Sequence, residues 1–200
     1  PIGVGKTSLA RRLAERWSMR TLLERAADNP FLERFYADMA RYALPTQLHF
    51  AMQRVEQGRE AGEALASGAP LVADFIAQKN DVFAQLTLPD DEWRLYRSLA
   101  AHLPAGASAP DFVVHLQASP HTLLARIQKR ARAAEGLITE TYLRKLCEAY
   151  DQFFYHYDAS PVLTINTEHL NPLESEADFA LVVEQIETMR GRKASFVKAQ

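Results

Sequence analysis

Near its start the chain reads Gly3-Val4-Gly5-Lys6-Thr7-Ser8 and runs straight into the helical pattern Leu9-Ala10-Arg11-Arg12-Leu13. Two glycines followed by Lys-Thr at the mouth of a helix form the second half of a G-x-x-x-x-G-K-[ST] phosphate loop. Each part has a mechanical reason. The glycines let backbone N–H groups curl around phosphate oxygens, and the helix N-terminus adds its dipole. Lys6 would neutralise β/γ-phosphate charge and Thr7 would offer its hydroxyl to Mg²⁺, which makes Gly3, Val4, Gly5, Lys6, Thr7 and Ser8 candidate nucleotide-binding residues. The first glycine of the motif would stand one position before Pro1, so the strand that feeds the loop is expected ahead of the given sequence. The plainer alternative is an ordinary glycine turn that caps a helix.

The remaining residues set the scale and class. Two hundred residues, 48% hydrophobic and 24% charged, are enough for one globular domain spanning 1–200 with a sizeable core. A formal charge of −2 speaks against a nucleic-acid polymer or an anionic membrane surface as principal partner and favours a small molecule. A single cysteine, Cys147, excludes an internal disulfide, and no apolar run approaches the roughly 18 residues of a membrane span. The expected setting is cytoplasmic. Short apolar runs at Leu71 to Ala73, Phe112 to Leu116 and Val162 to Ile165 alternate with helical periods. Helices are expected around Leu9 to Trp17, Thr46 to Ala66, Pro120 to Arg132, Thr139 to Tyr157 and Glu176 to Arg190, with a solvated tail from Arg190 onward. Strands alternating with helices imply an α/β fold, a parallel sheet with helices on both faces.

A phosphate loop alone does not separate kinases from GTPases, motors or regulatory ATPases. No N-K-x-D guanine-reading tetrapeptide is present, and the length leaves little room for a motor's accessory elements. A small-molecule kinase is favoured. Glu24 falls shortly after the first helix, where a second strand would deliver a carboxylate to the phosphates as a base, unless it is a solvated surface residue. Gln47 and Arg54 are seven residues apart and return to one helix face within about 20°, so both heads can point toward one pocket, although polar helix faces are commonly just wet. Asp74 closes a short strand, suiting an acid for Mg²⁺, and also suits the N-cap of a following helix. Arg126 and Arg130 share a helix face and Arg132 lies near its end, an arrangement fit to cover phosphates or simply to wet a basic helix. Six histidines show no metal-like spacing, and Cys147, Phe153, Phe154, Tyr155 and Tyr157 read as packing residues, with Trp17 and Trp93 in the core or at a dimer contact.

At Glu24 to Phe31, Tyr36, Gln47 to Arg54, Val72 to Phe75 and Arg126 to Glu135 the sequence resembles the deoxynucleoside kinase family, in particular its bacterial deoxyadenosine/deoxyguanosine kinase branch. The likeness runs through almost the whole chain. It implies a P-loop kinase-like parallel sheet with an arginine-rich lid, usually as a homodimer, and transfer of the γ-phosphoryl group of ATP to the 5′-OH of a deoxynucleoside, purines weakly preferred. By this resemblance Glu24, Arg130 and Arg132 are catalytic, Arg126 joins the nucleotide-binding set, and Tyr36, Gln47, Arg54, Asp74 and Glu135 hold the acceptor. Thr7 and Asp74 are the metal candidates. Three positions depart from the family: Arg25 replaces a proline, Phe75 an arginine, and Asn80 an acid that would pair with Arg54. Lys79 is a candidate substitute for the lost arginine. The competing expectations are a nucleoside monophosphate kinase, which needs extra basic residues for an acceptor phosphate, and a regulatory ATPase or GTPase switch without a small-molecule acceptor.

Overall fold

The computed structural model describes residues 1–104 and 109–198. Gly5, with φ 98°, turns the chain into helix α1 (Lys6–Arg16), whose Leu9, Ala10, Leu13 and Ala14 are buried. Strand β1 (Arg20–Leu22) follows, then two short helical turns, Ala26–Asp28 and α2 (Leu32–Ala37). Helix α3 (Met39–Ala66) is the longest element, begun by an Asp38 side chain that accepts the Arg41 N–H at 3.2 Å. Strand β2 (Leu71–Ala73), α4 (Lys79–Thr87) and α5 (Asp90–Ala100) complete the first half. The second half runs β3 (Val113–Gln117), α6 (Pro120–Arg130), α7 (Glu140–His156), β4 (Val162–Asn166), α8 (Glu176–Thr188) and β5 (Lys193–Val197).

All strand pairing is parallel, as the alternation of elements requires. The strands form two groups among the described residues. β1 pairs with β2 in the register Arg20↔Leu71, and β4 lies between β3 and β5 with Val162 opposite both Val113 and Lys193. The phosphate loop touches both groups. Thr7 bonds to Asp74 just beyond β2, while Gly3 lies against Leu123 and Ile127 of α6, which follows β3. The segments that follow β1, β2 and β3 thereby meet at the loop, the place where open α/β sheets bind ligands.

Several element boundaries differ from the sequence reading for local reasons. α3 starts seven residues before Thr46 and carries Pro45 in its second turn, where the missing N–H costs one bond of a 28-residue helix. α6 stops at Arg130 because Ala131 takes a left-handed conformation, φ 49°. The expected solvated tail is instead β5. Gly191, at φ 85°, turns the chain back, and the Lys193 Nζ donates to the carbonyls of Phe154 and Tyr155 at the exposed C-terminal end of α7, 3.1 and 2.5 Å away. A lysine on terminal helix carbonyls is a favourable pairing with the helix dipole, and the half-buried Phe196 packs onto the core.

The core contains Leu123, Leu143, Leu146, Leu163, Ile165 and Val182, all essentially inaccessible. His115 stacks on Phe154 at 4.1 Å between ring centroids, and burial lowers its pKa to about 3, so it is a neutral packing residue. Phe153, Phe154 and Tyr157 join the same aromatic cluster. Trp93 stacks on Tyr96, and the half-buried Trp17 and Cys147 border the core. No helix among the described residues is long and apolar enough to cross a membrane.

The loop glycines supply a stability test. A Cβ on Gly3 would lie 2.9 Å from Ile127 Cγ1 and 3.0 Å from the Leu123 carbonyl, at φ +82°, whereas Gly68 has φ +74° and open space around it. Gly68→Ala is expected to cost about 1–2 kcal/mol, from the backbone alone. Gly3→Ala is expected to cost clearly more in urea unfolding, and equal losses would show that α6 gives way freely.

Candidate active site

The cleft at the strand ends is built around Glu24. It is the second residue after β1, and its position is set from three sides. Its N–H donates to Asp74 Oδ1 at 2.7 Å, which ties the loop after β1 to the residue that ends β2. Arg54 Nη2, from α3, donates to Oε1 at 3.1 Å. Lys79 Nζ, from the first residue of α4, donates to Oε2. Burial alone would raise the Glu24 pKa, but the charge and hydrogen bond of Lys79, then Arg54 and Lys6, bring it down to about 2. The carboxylate is therefore ionised and tightly held.

The loop that carries Glu24 is pinned by α3. Gln57 Nε2 donates to the Leu23 carbonyl and Gln53 Nε2 to that of Arg25, both at 3.0 Å. Arg25 itself turns outward to Glu60 of α3, so the residue at the family's proline position is held by other means and leaves the carboxylate in place. Asn29 buries its side chain between the Thr46 carbonyl and the Phe31 N–H, at 3.1 and 3.0 Å. Nothing local in the sequence marks Gln53, Gln57 or Asn29 as supports, since each bonds to a backbone group distant in the chain.

Lys6 and Thr7 face the same space. Burial first, and the nearby Lys79 second, lower the Lys6 pKa to about 8, against the opposing pull of Glu24 and Asp74. Lys6 donates to the Pro1 carbonyl at 2.7 Å. Thr7 Oγ1 donates to Asp74 Oδ2 at 2.5 Å. Asp74 is thus joined to the phosphate loop and to Glu24; it does not cap α4, which begins five residues later with no side-chain cap. Gly3 also lines the cleft, while Val4 is buried in the core and Ser8 is exposed on α1.

Tyr36, Gln47, Asn80 and the rings of Phe50 and Phe83 line the same cleft, the two rings 5.9 and 5.2 Å from Lys79 Nζ. Gln47 is 2% exposed and its amide has no hydrogen-bond partner among the described residues. Burial, followed by the neighbouring Tyr142 and Glu135, raises the Tyr36 pKa well above the usual value, so its hydroxyl keeps its proton. Arg54 does not join Gln47 on the wall. Its guanidinium lies behind Glu24 and Asn80, donating to Gln57 Oε1 at 2.8 Å and Asn80 Oδ1 at 3.2 Å, and stacks on the Phe75 ring at 3.7 Å. The same helix face carries both residues, but Arg54 finds its partners before it reaches the cavity. Phe75 fills the space under it, and Lys79 brings the second positive charge to Glu24.

The lid segment between α6 and α7 closes the site. Arg130 makes two parallel bonds to Glu135, both 2.6 Å, with Arg132 at 3.9 Å from the same carboxylate, and all three line the cleft. Arg126 points elsewhere. It donates to the Thr167 hydroxyl and carbonyl at 2.9 and 2.7 Å, anchoring the segment after β4 without lining the cleft. The described residues contain no cluster of three His, Cys, Asp or Glu side chains able to grip a metal ion by themselves. Thr7 and Asp74 are nonetheless a hard-oxygen pair of the kind Mg²⁺ takes together with phosphate and water.

A parallel α/β framework with a phosphate loop, an opposing carboxylate and an arginine lid defines a P-loop phosphotransferase. The model of the deoxynucleoside kinase family matches residues 1–190, and the chain belongs to that family. It is 32% identical to a deoxyguanosine kinase of Bacillus subtilis over 169 residues, 84% of this chain and 82% of the relative. A deoxyadenosine/deoxycytidine kinase of the same organism is 29% identical over 92% of this chain and 88% of its own length. Among solved structures, a deoxyadenosine kinase from M. mycoides with bound dCMP and a flexible dCDP superposes with TM-score 0.81 at 20% identity, over 94% of this chain and 96% of that one. The fold and enzyme class expected from the sequence are thus borne out.

The charge lock on Glu24 has a pH signature. A carboxylate whose folded pKa is depressed from 4.5 to about 2 contributes stability that is fully present above about pH 4.5 and is lost as the pH falls toward 2. Over that window the urea midpoint of Glu24→Gln protein is expected to fall less steeply than that of the parent. Parallel slopes would exclude the lock.

Proposed function

We propose that this deoxynucleoside kinase transfers the γ-phosphoryl group of ATP to the 5′-OH of a deoxynucleoside, a purine by preference, with Glu24 at the reacting hydroxyl. The observation that carries the assignment is one cleft lined by Glu24 and Lys6 together with the uncharged side chains of Tyr36, Gln47, Phe50 and Phe83. A nucleoside fits that division. Its base suits the apolar and amide-bearing wall, its 3′-OH suits Tyr36 and Glu135, and its 5′-OH suits the Glu24 carboxylate. Lys79, the cation beside the Phe50 and Phe83 rings, is paired with Glu24, which favours a neutral acceptor over a nucleoside monophosphate. Purine preference draws on the relatives, which include deoxyguanosine and deoxyadenosine kinases.

In the reaction the acceptor's 5′ oxygen bonds to the γ-phosphorus as the bond from that phosphorus to the β,γ-bridging oxygen breaks. The hydroxyl proton passes to Glu24. A carboxylate held near pKa 2 is a weak base, so its first task is to orient the hydroxyl, with proton transfer late, as a loose transition state allows. Lys6 meets the phosphates of the donor, and the backbone around Gly3 and Gly5 cradles them. Thr7 and Asp74 would hold Mg²⁺, which when bound neutralises charge on the β- and γ-phosphates. Arg130 and Arg132 cover the transferred group and exclude water, with Glu135 fixing the Arg130 head until the acceptor arrives. Arg54 acts behind the wall, holding Glu24 and Asn80 in position. Arg126 acts through Thr167, shaping the segment that would lie by the donor's base.

A cytoplasmic homodimer is the setting we assign to this activity. The absence of cysteine pairing suits a reducing compartment, and the exposed Leu95 and Leu99 on α5, with Met52 and Leu65 on α3, offer apolar surface for a second copy.

ADP release should depend on added deoxynucleoside. Glu24→Gln should lower kcat by about 10²–10⁴-fold with acceptor binding little changed. Steady-state kinetics beside calorimetric titration of the nucleoside separates the two, and equal losses in both would remove Glu24 from the reacting hydroxyl. Gln47→Ala should weaken acceptor binding while ATP binding persists; a defect confined to ATP would exclude Gln47 from the acceptor wall.

A further inference from the structure

Glu24 has two cations, and only one of them lines the cleft. Arg54 lies behind the carboxylate, with Nη1 on Gln57, Nη2 shared between Glu24 and Asn80, and its flat face on the Phe75 ring. Lys79 lines the cleft together with Lys6, Thr7, Arg130 and Arg132. Its Nζ donates to Glu24 Oε2, its one hydrogen bond among the described residues. An ammonium group carries three N–H donors, so two remain for another acceptor.

The place is a poor one for a lysine with only a packing role. Lys79 is the first residue of α4, at the positive end of that helix's dipole, where a cation is disfavoured. Its side chain is 13% exposed, and it is near enough to Lys6 to help lower the pKa of that second buried ammonium. Against these costs stand the Glu24 carboxylate and the faces of Phe50 and Phe83, at 5.9 and 5.2 Å. Its position therefore depends on the charge of Glu24, and that charge is what changes in the reaction. Phe75, by turning its ring under Arg54, brings no cation from the end of β2 to the reacting atoms.

We propose that Lys79 is a catalytic residue, which holds Glu24 in the resting cleft and passes to the transferred phosphoryl group as Glu24 takes the acceptor's proton. The inference rests on the reaction assigned under Proposed function and adds a residue to it. The acceptor's 5′ oxygen bonds to the γ-phosphorus, the bond from phosphorus to the β,γ-bridging oxygen breaks, and ADP leaves with that electron pair. The hydroxyl proton ends on the Glu24 carboxylate, which becomes a neutral carboxyl group. Lys79 then loses its anion at the moment when a phosphate monoester with a fresh negative charge stands beside it. Its bond to the phosphoryl oxygens is stronger after the proton has moved than before, so it favours the transition state over the bound substrates.

The test uses the full chain with ATP, whichever of the four common deoxynucleosides turns over fastest, and the matching 5′-monophosphate as a binding probe. Lys79→Met should lower kcat about 10²–10³-fold, the loss seen when one donor to a developing charge is removed, with KM for ATP and for the nucleoside little changed. Lys79→Arg, which keeps a charge there, should recover much of that loss. Calorimetric titration then separates contact with the phosphate from mere support of Glu24. Lys79→Met should weaken monophosphate binding about 10–100-fold and leave nucleoside binding little changed. Glu24→Gln, which removes the competing carboxylate charge, should bind the monophosphate more tightly than the parent, and adding Lys79→Met to it should abolish that gain. A residue that only steadied Glu24 would have no effect in the Glu24→Gln protein. Monophosphate affinity unmoved by Lys79→Met in both proteins, or a kinetic loss confined to KM, would overturn the role of Lys79 and leave the kinase assignment standing. No nucleoside-dependent ADP release from the parent chain would remove that assignment, and this inference with it.

Discussion

The cleft is organised by one buried carboxylate held between two cations. Glu24, Lys79 and Arg54 have side chains no more than 15% exposed, so each charge has given up most of its water. Desolvating an ion costs several kcal/mol, and the attraction between partners offsets this only when geometry and further hydrogen bonds are good. Here the further bonds are present: Asp74 holds the Glu24 N–H, Gln57 and Asn80 share the Arg54 guanidinium, and aromatic rings lie beside both cations. The arrangement brings the loop after β1, the residue after β2, α3 and α4 to a common point. Losing one member would leave an unpaired charge in a largely dry site, so the four segments are constrained to meet in one way.

Charge is distributed unevenly about that point. Lys6, Lys79, Arg130 and Arg132 all face the cleft, against Glu24, Asp74 and Glu135. Lys6 pays for this company with a pKa lowered to about 8, by burial first and by Lys79 second. A guest bearing several negative charges would relieve the crowding, and the glycine turn with its helix N-terminus offers backbone donors to the same guest. The rest of the lining is different in kind, made of rings, a tyrosine hydroxyl and amides. Polar recognition there relies on hydrogen-bond direction, which a neutral amide can read and a bare charge cannot.

What the sequence discloses follows how local each signal is. The phosphate loop is contiguous and its residue types are set by backbone geometry, so Gly3, Gly5, Lys6 and Thr7 are legible at once. β3 and β4 are legible because they are five residues long, mostly apolar, and buried or half-buried throughout. β1 has three residues, two of them exposed, and offers no periodicity to detect. β5 alternates exposed and half-buried positions over five residues behind a basic turn, which is equally the pattern of a wet tail. Arg54 shows the limit of helix-face reasoning. Direction from the axis is correct to within about 20°, yet a long side chain can be captured on its own helix, and Gln57 three residues on captures it. Lys79 is legible as a substitute for the missing arginine, but its pairing with Glu24 emerges only when the fold closes their 55-residue separation.

Two of the departures from the family pattern, Phe75 and Asn80, meet at Arg54. With Phe75 where an arginine is common, the space under Arg54 is filled by a ring, and the guanidinium gains a stacked face at 3.7 Å in place of a like-charged neighbour. The cation needed at the free oxygen of Glu24 then comes from Lys79, which enters from the start of α4. Arg54 already has one anion in Glu24, so an acid at position 80 would place a second negative charge on the same guanidinium and push against the first. Asparagine at that position keeps the hydrogen bond and omits the charge. Arg25, no longer a rigid turn residue, leaves its backbone to be held by Gln53 and sends its own charge out to Glu60. Phe75 and Asn80 meet through Arg54, and the neutral amide at position 80 is the group that reaches the cleft lining.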